Sequence, residues 1–150
     1  MSKTITLWSH GSNMQIEYEN RITSVRHTGP FVRIEGQSGQ NTWGHFPITN
    51  PTNIDNSKYN LTKVYVSFRT REYGIINQIL IYDGENIIYD TNDLSLNGDN
   101  LEYELILDKP APISKGINLV LGFQFKANPP NTRSTQIEVI GVGIDLETNT

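Results

Sequence analysis

The chain has 150 residues, 36% of them hydrophobic and 19% charged, with no cysteine and a formal net charge of −4. A chain of this length buries roughly 70% of its unfolded surface and so has the material for its own core. The acidic balance argues against a broad basic footprint for nucleic acid, the missing thiols exclude disulfides and thiolate chemistry, and no apolar run approaches the ~20 residues of a membrane span.

Apolar and polar residues alternate with period two along the chain, the mark of strands with one buried face. The opening residues, Met1 to Trp8, hold no apolar stretch of a Sec signal, so cytoplasmic residence or release without one is the expectation. Gln15-Ile16-Glu17-Tyr18 and Val32-Arg33-Ile34-Glu35 alternate. Residues 49–53, rich in Asn, Pro and Thr, read as a turn. Next, Val64, Val66 and Phe68 interleave with Lys63, Tyr65, Ser67 and Arg69, a half-buried strand. The apolar run 75–82, then Asp83-Gly84, then Ile87-Ile88-Tyr89, reads as a hairpin. Strands follow at 101–107, 117–125 and 137–144, with Gly141 and Gly143 marking a bulge or a close backbone approach in the last. Residues 146–150 look like a frayed tail. No stretch reads as an amphipathic helix. About nine short strands with turn signals roughly every 8–15 residues predict one domain over residues 1–150, an all-β, jelly-roll-like antiparallel β-sandwich.

Three constellations could carry chemistry. Trp8-Ser9-His10 and Trp43-Gly44-His45 share the form Trp-x-His, and residues two apart on a strand share a face. Each pair sets an indole, able to stack on a sugar ring, beside an imidazole able to donate to a hydroxyl. The plainer alternative is an indole filling the core. His10, His27 and His45 would suit a zinc ion if the fold brought them together. Asp93, Ser95, Asn97, Asp99 and Glu104, with Gly98 at the sixth position, have the oxygen spacing of a calcium loop. Its flanks read as strands rather than helices, and an Asn97-Gly98 turn explains the same residues.

Catalysis has little support. No nucleophile elbow or phosphate loop is present, and Asp83, Glu85, Asp90 and Asp93 fall where turns expect acids. Arg69 and Arg71 near Tyr65, Phe68 and Tyr73 make only a small basic strip.

Trp8-Ser9-His10-Gly11, the segment from Asn41 through Trp43 and His45 to Pro47, and the hairpin through Tyr82-Asp83-Gly84 resemble an uncharacterised family of small, single-domain bacterial proteins with an N-terminal Trp-x-His-Gly motif. The resemblance implies a β-sandwich and a bacterial origin and brings no mechanism.

The expected function is a non-enzymatic, lectin-like binding module for a glycan or small polar ligand, with Trp8, His10, Trp43 and His45 forming the stacking face. The alternatives are a self-assembling subunit forming a homo-oligomer or filament, and a calcium-binding module on residues 93–104. No nucleic acid or membrane partner is expected.

Overall fold

The computed structural model describes residues 3–54, 57–91 and 93–148. Alternation decides its layers. β7 (Ser57–Thr70) turns Val64, Val66 and Phe68 inward, and β12 (Ile137–Thr148) does the same with Ile137, Val139, Val142, Ile144 and Leu146, all 2% exposed or less. The two strands pair antiparallel from Ile137 opposite Thr70 to Thr148 opposite Tyr59, with a bulge at Ile140.

The other edge of β12 is shared. β1 (Thr4–His10) covers residues 141–147 and β4 (Val32–Gly36) covers residues 137–139. The handover falls at Gly11, where any Cβ would run into the Val139 carbonyl oxygen. β10 (Asp99–Pro112) flanks β7, β3 (Ile22–His27) flanks β4, and the two-residue β6 (Asn53–Ile54) pairs with the start of β7, completing a seven-stranded sheet.

The second sheet has five strands: β2 (Gln15–Ile16), β5 (Asn41–Ile48), β11 (Ile117–Phe125), β8 (Gly74–Asp83) and β9 (Asn86–Thr91), in that order. Its inward residues, among them Phe46, Ile79, Ile81, Leu121, Phe123 and Phe125, meet those of the first sheet in one core cluster. The chain crosses repeatedly between the sheets in jelly-roll fashion. The β8–β9 hairpin turns on Gly84 and Glu85, and Gly84 takes φ +61°, as the first position of a two-residue turn with glycine there requires.

The all-β sandwich expected from the sequence is what forms. Its strands outnumber the expected nine partly because β2 and β6 are too short to show an alternation. Residues 146–148 are not a frayed tail. Leu146 is fully buried between Ile5 and Leu61, and Thr148 accepts the Lys3 N–H at its Oγ1 (2.9 Å). The inward series Val142, Ile144, Leu146 simply continues past the point where the sequence turns polar; residues 149–150 lie outside the described residues. Leu146→Ala should therefore cost about 2–5 kcal/mol in denaturant unfolding, a core loss, whereas a frayed tail would give no change.

Candidate functional site

Period-two alternation on β5 sends Thr42, Phe46 and Ile48 into the core and Trp43 and His45 to the outer face of the five-stranded sheet. Trp43 stands opposite Gly122 on β11, and Gly122 opposite Gln78 on β8. Across that glycine the Trp43 Nε1–H donates to Gln78 Oε1 (3.0 Å). A Cβ on residue 122 would lie 2.6 Å from Asn77 Oδ1 and 2.8 Å from Gln78 Cβ, so glycine keeps the space the Gln78 side chain needs. Gln78 Nε2 in turn donates to Asp90 Oδ1 (2.8 Å). The indole is thus half-buried and held in plane by a three-residue chain. Tyr18 meets it edge-on, ring centroids 6.0 Å apart, with the Arg21 guanidinium 3.9 Å from the Tyr18 centroid.

The next row carries a second polar chain. The His45 Nδ1 accepts from Asn118 Nδ2 (3.1 Å), and its Nε2–H donates to Glu17 Oε1 (2.9 Å). Both imidazole nitrogens are therefore occupied, and His45 positions Glu17 and Asn118 rather than offering a free donor. Among the described residues the buried Oδ1 of Asn118 finds no hydrogen-bond partner, a costly arrangement in a folded interior. Trp43, Tyr18, Glu17, His45, Gln78 and Tyr82 ring a depression of about 280 Å3 floored by Leu80 and Val120. Gln78 and Tyr82 are four residues apart on one strand, about 13 Å. A ligand that touches both ends is longer than one sugar ring.

The two Trp-x-His pairs do not form one face. Trp8 and His10 project from β1 on the outer side of the seven-stranded sheet, across the sandwich from Trp43 and His45. Alternation fixes which side of its own strand a residue takes, and the two strands lie in different sheets. Trp8 is 54% exposed and stacks on Tyr65 at 5.4 Å and 29°. The Tyr65 hydroxyl donates to Asp145 Oδ2 (2.8 Å), whose Oδ1 accepts from Thr6 Oγ1 (2.6 Å). Burial, that hydrogen bond, and the charges of Asp145 and Glu104 push the Tyr65 phenol up to about 12.

The metal readings do not survive the geometry. His10 Nδ1 accepts from the Ser12 N–H (3.0 Å) and the His27 Nδ1–H donates to the Ser12 carbonyl (2.9 Å), while His45 sits in the other sheet. The loop 93–98 does not curl around an ion. Leu94 and Leu96 pack on the core and Leu96 bridges Ile76 on β8. The Asn97 amide donates to the carbonyls of Arg71 and Gly74, Asp99 starts β10 opposite Arg69, and Glu104 lies opposite Tyr65 with its carboxylate 3.8 Å from Lys63 Nζ. Ser95, Asp93 and these residues converge on no centre: among the described residues no three His, Asp or Glu side chains are placed to hold a metal. Asp83, weighed as a hydrolase acid, instead accepts the Ser114 and Lys115 amides. Arg69 is spent with Arg33 on Glu138, and Phe68 is core, which breaks up the basic strip.

Glu17, Tyr18, Gln78, Tyr82 and Asn118 escaped the sequence reading. Their outward phase was visible in it, but only the pairing of β2, β5, β11 and β8 brings them together.

An antiparallel β-sandwich with an aromatic depression lined by hydrogen-bonded side chains is the class these features define. The chain belongs to a family of unknown function, DUF6623, whose model matches residues 2–149. No curated protein matches its sequence. Among solved structures it is similar to a low-affinity xylan-binding module, CBM86, from the gut symbiont Roseburia intestinalis, with 11% identity over 97% of this chain and 96% of that one and a TM-score of 0.52. It is also similar to a family 29 carbohydrate-binding module at 12% identity, 97% and 92% coverage and TM-score 0.49. A family 29 module from Piromyces equi gives 11%, 99% and 91%, and 0.46. The likeness to the xylan-binding module is one of fold.

The raised Tyr65 pKa makes stability depend on alkaline pH. Below pH 10 the phenol is neutral in both states and its contribution is complete. From there to about 12 the unfolded phenol loses its proton while the folded one keeps it, so stability falls as pH rises. Tyr65→Phe should make that fall shallower in urea unfolding. It should not abolish it, because burial raises Tyr89 and Tyr103 as well.

Proposed function

We propose that this protein is a non-catalytic carbohydrate-binding module that lays an oligosaccharide across the outer face of its five-stranded sheet. The observation that supports this most is the Trp43 indole, fixed by Gln78 and Asp90 within the depression that Tyr82 closes at its other end. A fixed aromatic face loses little entropy when a sugar ring stacks on it. The side chains around it suit a polyhydroxylated ligand. Glu17, Gln78 and Tyr82 line the depression with carboxylate, amide and hydroxyl groups, and Val120 and Leu80 offer an apolar floor. The 13 Å length of the strip favours an oligomer over a monosaccharide. The fold shared with a xylan-binding module makes xylan fragments the first probe.

Trp8 and Trp43 are the chain's two tryptophans, so Trp8→Phe leaves Trp43 as the sole indole. In that variant xylohexaose, cellohexaose and mannohexaose should be titrated against indole emission. A saturable change with one of them, weakened at least tenfold by Gln78→Ala, supports the proposal. Silence of Trp43 towards all three rejects it.

A further inference from the structure

We infer that the opposite face carries a second glycan site, built on Trp8, which makes the module bivalent. This inference rests on the geometry around Trp8 and not on that of Trp43.

The first observation is how the indole lies. Trp8 stands opposite Gly143 on β12, and Gly143 opposite Tyr65 on β7. A Cβ on residue 143 would meet Trp8 Cδ2, Cε2 and Cε3 at 2.8, 3.0 and 3.0 Å. Three ring atoms at nearly one distance mean that the ring lies flat on the strand. Gly141, the preceding outward position of β12, would bring a Cβ to 3.6 Å from Cε3 and 3.9 Å from Cζ3. Two glycines thus clear the sheet surface beneath one indole. Glycine inside a strand weakens it, so the arrangement costs stability. What it produces is a flat ring laid over backbone and against Tyr65, in a residue still 54% exposed. That is the geometry in which an indole stacks on the apolar face of a pyranose.

The second observation is the row beside it. Leu101, Ser67, Gly141 and His10 line a trough of about 390 Å3 along the ring, within the ~300–1,000 Å3 of small-ligand sites. His10 is exposed, and its Nδ1 accepts the Ser12 N–H, which places the neutral ring's proton on Nε2. An indole face, a serine hydroxyl and an imidazole N–H donor therefore adjoin one trough. Tyr65 extends the aromatic surface, and its bond to Asp145 holds it in place.

A second copy of the chain is a poorer occupant. A stable dimer buries ~800 Å2 per partner with an apolar centre. The exposed Leu101 and Ile106 on this face are interspersed with Thr6, Lys63, Glu104 and Arg69, so the apolar residues form no continuous centre. Because the two faces are back to back, two bound chains would be tied together, whereas a single chain would not gain a second contact from the same molecule.

The test uses Trp43→Phe, in which Trp8 is the sole indole, with the same three hexasaccharides. A saturable change in Trp8 emission, weakened about tenfold or more by His10→Ala with the fold intact by circular dichroism, supports the site. The native protein should then bind two hexasaccharides per chain by calorimetry. Silence of Trp8 while Trp43 responds in the reciprocal variant overturns the second site and leaves the first. A Trp8 response with Trp43 silent does the reverse, and silence of both overturns both. Trp8 emission that changes with protein concentration, alongside a dimer in sedimentation, also overturns the inference, because the face would then be a self-association surface.

Discussion

β12 must satisfy hydrogen bonds on both edges along nearly all its length, and the rest of the molecule is arranged around that demand. β7 takes one edge throughout. The other is too long for any single neighbour, so β1 and β4 divide it end to end, meeting where Gly11 passes the Val139 carbonyl. Unpaired backbone groups on a buried strand would each carry a desolvation cost, which is why the junction leaves no room for a side chain. With β12 fixed, its inward residues set the core, and its outward Gly141, Gly143 and Asp145 set what can lie on the sheet's outer surface.

The same device serves on both faces. A tryptophan on one strand projects across a glycine on the next and reaches a partner on the third: Trp43 over Gly122 to Gln78, Trp8 over Gly143 to Tyr65. The partners differ, and so do the consequences. The amide of Gln78 ties the Trp43 ring into a polar chain and leaves it half-buried. Tyr65 stacks on Trp8 without a hydrogen bond to it, and that ring stays more open. His45 differs from His10 in the same sense, with both nitrogens engaged in the first and one in the second.

The fold class was legible because alternation is local: Val64, Val66 and Phe68 name their face without reference to any other strand. The sites were less so, since they are assembled by pairing. The equal spacing of Trp8-Ser9-His10 and Trp43-Gly44-His45 suggested one binding face, but spacing within a strand says nothing about which sheet the strand joins. The calcium reading failed for a related reason. Residues 93–104 matched a loop pattern in their polar positions, while Leu94 and Leu96, the residues between, decided the conformation by packing on the core. Polar composition misled at 146–148 too, where Glu147 and Thr148 end a strand that still buries Leu146.

Because β1 runs antiparallel to the closing strand, Thr4 pairs with Glu147 and the two ends of the fold lie side by side. Tension applied through them would load the β1–β12 ladder across its hydrogen bonds, opening it pair by pair from Thr4 towards His10 instead of shearing all its bonds together. The mechanical weak point of the molecule is therefore the strand that carries Trp8. A pull would peel that indole from the sheet while β5, deep in the other layer between β2 and β11, kept Trp43 in place.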